Sequence, residues 1–310
     1  MNVYTIAYEA LPASVQPHVA AIGYFDGVHL GHQAVVRKAI ARARELGVAA
    51  SVITFHPHPR EVLGRSGYAR YITPLADKLA LLAELGVQEA YVIRFDRDFA
   101  AVEPEAFVER YLVPLKVRGV AVGFDFTFGH RGRGTADALV RLAAGRFPVD
   151  VVAPVTAEGE KVSSTAIRAR LLEGRVDEAA RLLGRPYAIT GTVVAGNRIG
   201  RTLGFPTANV APSEPYVIPA HGVYAAEVAW RDAVYDAVVN IGVRPTVAKG
   251  GEPTVEAHLL DFSGDLYGET IAVRFLRYLR PEQRFPDLDA LRAQIARDIE
   301  AARRWRKTKA

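Results

Sequence analysis

The chain has 310 residues, 50% hydrophobic and 24% charged, enough to bury a sizeable core in one large domain or two medium ones. The absence of cysteine excludes disulfides and thiolate metal sites. With no membrane-length apolar run and no charged-then-apolar leader over residues 1–16, the expected location is the cytoplasm, with no membrane partner. The net charge of +5 is dispersed except at Arg303, Arg304, Arg306, Lys307 and Lys309. That cluster reads as a solvated helix end rather than a nucleic-acid patch, and the excess suits polyphosphate substrates.

In chain order, residues 19–22, 51–55, 90–95, 120–122 and 149–152 read as buried strands. Between them lie amphipathic stretches. Residues 34–46 carry Val35, Val36, Ile40 and Leu46 at helical spacing and stop at Gly47. Leu75, Leu79, Leu82 and Leu85 stop at Gly86, and Phe107, Val108, Tyr111 and Leu112 form a third stripe. Strands alternating with helices predict a Rossmann-like parallel α/β domain, with ligands at the carboxyl ends of its strands. After Gly184 the rhythm changes. Residues 187–194, 223–230, 234–241, 254–260 and 271–279 are strand-like and joined by turns, which predicts an antiparallel β-barrel. A closing helix over 288–305 carries Leu288, Leu291, Ile295 and Ile299 on one face. The expected domains are 1–185 and 186–310.

The first strand runs into Gly23-Tyr24-Phe25-Asp26-Gly27-Val28-His29-Leu30-Gly31-His32. A glycine-rich turn opening onto a helix presents amides and a positive dipole end to phosphate, and paired imidazoles supply donors for charge building on the α- and β-phosphates. The alternative is one histidine capping the helix and the other in solvent. The string resembles the His-X-Gly-His nucleotidylyltransferases, and in its longer form the prokaryotic bifunctional riboflavin kinase/FAD synthetase family. That resemblance implies ATP contacts from Gly23, Phe25, Asp26, Gly27, His29 and His32, with His29 and His32 catalytic.

Three more elements extend the likeness. In Thr54-Phe55-His56-Pro57-His58-Pro59 the two prolines fix an extended wall with no amide donors, and Phe55 and the prolines offer flat surface for an isoalloxazine ring, so that the resemblance implies Phe55, Pro57, His58 and Pro59 in the FMN pocket. The segment from Gly123 to Thr135 resembles a family element that places Asp125, Phe126 and Phe128 by the flavin. Alone it would read as a surface loop with buried phenylalanines. Ser163, Ser164, Thr165 and Arg168 match the superfamily's Ser-Ser-Thr-X-(Ile/Val)-Arg signature, whose hydroxyls can both cap a helix and hold triphosphate, with Arg168 catalytic.

In the second half Gly191, Gly196, Gly200 and Gly204 lie on a strand and the loop after it, in a spacing that is not a Walker A but could drape over phosphates. Thr207 and Asn209 follow as oxygen donors suited to ATP-bound Mg²⁺. On residues 254–260 Glu256 and His258 share one strand face, with Val255, Ala257 and Leu259 on the other. The resemblance implies Thr207 and Asn209 as metal ligands, Glu256 as catalytic base and Arg244 as a flavin-site residue. It further implies ATP and Mg²⁺ as cofactors, and riboflavin, FMN and FAD as substrates and products. Two other readings are a nucleotidylyltransferase for a different metabolite and a nucleic-acid-binding barrel. The Phe/Pro wall opposes the first, and the glycine flap with Glu256 opposes the second. Whether the chain forms a homo-oligomer is open at this level.

Overall fold

The computed structural model describes residues 1–7, 10–12, 14–64, 69–195, 204–243 and 253–307. The chain divides into two compact units, Met1–Ser164 and Thr165–Ala310.

The first unit begins with β1 (Asn2–Ile6), β2 (His18–Ile22), α1 (Leu30–Leu46), β3 (Ala49–His56), α2 (Pro59–Val62) and α3 (Leu75–Glu84). It continues through β4 (Glu89–Arg94), α4 (Arg97–Ala100), α5 (Pro104–Phe107) and β5 (Val117–Gly123). Then come β6 (Thr127–Phe128), β7 (Gly134–Thr135), α6 (Ala136–Leu142) and β8 (Val149–Val152), and a hairpin of β9 (Thr156–Ala157) and β10 (Glu160–Lys161). Six strands form a parallel sheet in the order β1-β4-β3-β2-β5-β8. The five expected strands are present, and β1 adds an edge that the sequence pattern did not mark.

Strand alternation sorts the side chains onto two cores. Val19 and Ala21 pack with Val35, Val36 and Ile40 of α1. Ala20 and Ile22 join Phe99, Phe107 and Tyr111 on the opposite face. The third apolar stripe is buried as expected, but it is divided between α5 and a π-helical turn, Val108–Leu112. Helix α1 stops at Gly47, whose positive φ of 64° turns the chain so that the Val48 amide reaches the Ala43 carbonyl at 3.0 Å. The strand order reverses beside β2, so the carboxyl ends of β2 and β5 flank the crevice where such sheets take ligands.

Helix α7 (Ser164–Leu172) begins at the divide and is followed by α8 (Val176–Leu183). Ile167 and Leu171 of α7 are buried, and Leu172 is exposed. The strands β11 (Tyr187–Val194), β12 (Ala208–Pro212), β13 (Gly222–Trp230), β14 (Ala233–Val243), β15 (Pro253–Leu259) and β16 (Thr270–Arg280) close a barrel in the order β11-β12-β15-β14-β13-β16. All pairings are antiparallel. Strand β12 was not expected, because prolines bracket it, yet it alone bridges β11 to β15.

The last helix, α9 (Leu288–Lys307), seats on the barrel through Ile299 and Ala302 against Val223, Ala225 and Val238. Leu288 is 60% exposed and takes no part in that seat. The basic cluster at its end is partly spoken for, since Arg303 pairs with Asp261 at 2.7 Å and Arg306 with Glu227 and Asp236.

Candidate functional site

The turn after β2 is held from several sides. Gly23 N–H donates to the Ile53 carbonyl (3.1 Å), and a side chain at Gly23 would collide with the Phe25 ring. Phe25, Gly27 and Val28 take positive φ values of 58°, 91° and 41°, which curl the chain tightly before α1. Asp26 is buried, and its Oδ1 accepts the amides of Ile72 and Thr73, each at 3.0 Å. That carboxylate therefore anchors a neighbouring segment, and its own carbonyl accepts the Ser164 hydroxyl at 2.9 Å. The last bond ties the serine motif to the histidine motif across 138 residues of chain.

His29 is the N-cap of α1, and its Nδ1 accepts the His32 amide at 3.2 Å. The two imidazoles stack with centroids 3.5 Å apart and planes 16° from parallel. Capping and pairing thus coexist, where the sequence offered them as alternatives. In the neutral ring an accepting Nδ1 leaves the proton on Nε2, a donor suited to a phosphate oxygen. The glycine between the histidines has a steric reason: a Cβ at Gly31 would stand 3.1 Å from the His29 ring. Ser163 is half-buried, and Thr165 (exposed) and Arg168 (half-buried) stand on the first turns of α7.

Past β3, His58 caps α2 by accepting the Arg60 amide (2.9 Å), Pro59 takes the first helical position, and Pro57 is half-buried. The His56–Pro57 peptide is cis. The His58 ring lies 4.1 Å from that of Tyr24. Phe55 packs at 5.7 Å from Phe99, in the same aromatic core as Phe126 and Phe128, which stack at 5.5 Å. Much of the proposed flavin wall is thus backed by core rather than standing alone. Asp125 is exposed and pairs with Lys161 at 3.0 Å, and the Lys161 ammonium sits 4.4 Å over Phe124. Sequence reasoning passed over Tyr24, Lys78 and Lys161. Lys161 carried one usable signal, since it stands two residues before Ser163 of the Ser-Ser-Thr motif.

In the barrel, Asn209 of β12 pairs with Glu256 of β15, which pairs in turn with Asn240 of β14. Directly opposed residues share a face, so these three side chains form one row. Thr207 lies two residues before Asn209 and is half-buried. Glu256 and His258 alternate with buried Val255, Ala257 and Leu259, as the strand pattern required. His258 Nδ1 is bonded to the Pro206 carbonyl at 2.8 Å, which steadies the segment carrying Thr207. Asn240 Nδ2 reaches Glu282 at 3.4 Å, a neighbour that strand periodicity could not supply.

Gly191 has a packing role, because a Cβ there would overlap the Ala211 carbonyl of the neighbouring strand β12. Gly204 is an exposed turn residue with φ of 86°. Gly196, Gly200 and Arg244 lie outside the described residues.

The FAD synthetase family model matches residues 11–166 and the riboflavin kinase model matches residues 183–306. The chain belongs to the bifunctional riboflavin kinase/FMN adenylyltransferase family. It is 42% identical over 286 residues to the protein of that name from Listeria monocytogenes, covering 92% of this chain and 91% of that one. It is 41% identical over 290 residues to the one from Bacillus subtilis, covering 93% and 92%. A crystal structure described as a macrolide-efflux protein from Streptococcus pneumoniae superposes with a TM-score of 0.91 at 34% identity, over 98% of this chain and 100% of that one. Among the described residues of this chain, no helix is long and apolar enough to cross a membrane.

Proposed function

We propose that this chain makes FAD from riboflavin in the cytoplasm in two ATP-dependent steps, with residues 186–310 phosphorylating riboflavin to FMN and residues 1–185 adenylylating FMN. The observation that carries the reading is that both family models match one chain, in order and almost end to end.

In the kinase step Glu256 accepts the proton of the riboflavin 5′-hydroxyl as that oxygen attacks the γ-phosphorus of ATP and ADP leaves. Thr207 and Asn209 are hard oxygen donors at alternate positions beside that carboxylate, which fits Mg²⁺. Bound there, the ion would neutralise charge on the ATP phosphates. The glycine loop ending at Gly204 covers the nucleotide, and Arg244 contacts the flavin.

In the second step a phosphate oxygen of FMN attacks the α-phosphorus of another ATP, and pyrophosphate departs. The turn from Gly23 to Gly27 and Ser163, Ser164 and Thr165 cradle the triphosphate. His29, His32 and Arg168 donate to the oxygens on which charge accumulates. Phe55, Pro57, His58, Pro59, Asp125, Phe126 and Phe128 hold the flavin.

The test separates the sites. Glu256→Ala should abolish FMN formation from riboflavin while FAD formation from supplied FMN persists. The double variant His29→Ala, His32→Ala should do the reverse. Loss of both reactions in either folded variant rejects the assignment.

A further inference from the structure

Lys78 is only 2% exposed, on α3 in the adenylylating half. A buried ammonium is costly and persists where its donors find acceptors. Here Nζ donates to the Tyr24 carbonyl at 3.0 Å and to Thr54 Oγ1 at 3.3 Å, and stands 4.5 Å over the Tyr24 ring. The Thr54 hydroxyl donates to that same Tyr24 carbonyl at 3.1 Å. Three segments therefore meet at one cation: the phosphate turn through Tyr24, the strand leading to the flavin wall through Thr54, and α3.

From the turn's other side, Asp26 holds the amides of Ile72 and Thr73, just ahead of α3. One carboxylate and one ammonium thus staple this turn to the segment leading into α3 and to α3 itself. The Tyr24 ring passes the constraint on to His58.

We propose that Lys78 is a positioning residue for FMN, fixing the phosphate turn against the flavin wall and so setting FMN affinity. The proposal rests on the reading of Phe55, Pro57, His58 and Pro59 as that wall. An apolar side chain of similar volume would fill this space without the cost of desolvating a charge. Burial pushes the Lys78 ammonium down to about 8, with Asp26 opposing, so the charge is carried at a cost to the fold.

The experiment is Lys78→Met in the full chain, with both reactions assayed on one preparation. KM for FMN should rise about tenfold while KM for ATP in the same reaction stays within about twofold, because Gly23 on Ile53, Asp26 on Ile72 and Thr73, and Ser164 on Asp26 still hold the turn on its ATP side. Riboflavin phosphorylation and the melting temperature at pH 7 should not fall. An unchanged KM for FMN, or a parallel fall of both reactions with the melting temperature, overturns the proposal. Should Lys78→Met fail to fold, Thr54→Val removes the shared hydroxyl at nearly constant volume. It should raise KM for FMN about threefold by the same split, and no rise rejects the role.

His58→Ala reads the wall directly. If it leaves KM for FMN unmoved, the wall assignment is wrong and the proposal falls with it. If it raises KM for FMN while Lys78→Met does not, Lys78 alone is rejected.

Discussion

The Nδ1 of His29 accepts the amide of His32, and the two rings stack 3.5 Å apart, so one side chain both starts helix α1 and orders its partner. Asparagine caps helices well but brings no imidazole. His29→Asn should therefore keep wild-type stability yet lose adenylyl transfer. His29→Ala should lose the same activity and also about 1 kcal/mol of stability, read by chemical denaturation. Equal stability for the two variants would deny His29 its capping role.

The spacing of the histidine pair depends on the residue between them. A Cβ at Gly31 would approach the His29 ring to 3.1 Å, and the backbone there permits alanine. Gly31→Ala should lower kcat for FAD formation roughly tenfold by displacing that ring a few tenths of an ångström. Riboflavin phosphorylation and stability should hold, which steady-state assays and a melting curve would check.

In the barrel, Arg280 grips Asp298 through Nε at 2.9 and 3.1 Å and Nη2 at 2.8 Å, with Gln294 adding a further donor to the carboxylate. The carboxylate is 6% exposed, and the pair binds α9 to β16. Asp298→Ala strands a half-buried guanidinium and should cost about 3–5 kcal/mol in urea unfolding. Replacing both partners with apolar residues of similar volume should recover most of that loss.

Lys78 makes stability depend on alkaline pH in a definite sense. Its ammonium titrates near 8 when folded, against 10.5 ordinarily, because burial lowers it more than Asp26 raises it. Between those values the unfolded chain holds the extra proton, so stability rises with pH. The gain across the window is on the order of 3 kcal/mol. Denaturation midpoints from pH 7.5 to 10.5 should show the rise in the wild type and lack it in Lys78→Met.

What periodicity can express was legible in the sequence. The five buried strands of the parallel sheet, the stop at Gly47, the shared face of Glu256 and His258 and the His29–His32 spacing are all local, set within a few residues by helical or strand geometry. Family resemblance added roles to those positions, and the matched domains bear out the activity they imply. Strands β1 and β12 escaped because one is a short edge and the other is bracketed by prolines.

The sequence by itself thus determined the two architectures, the motif order and the chemistry each half carries. Tertiary structure alone decided which distant groups meet: Ser164 on the Asp26 carbonyl, Lys161 on Asp125, Asn209 and Asn240 on either side of Glu256, and Lys78 between Tyr24 and Thr54. The physical reason is burial. Nothing in the string Leu75-Ala76-Asp77-Lys78 marks the lysine for burial, and only packing places its ammonium on the Tyr24 carbonyl, behind the Gly23–Gly27 turn.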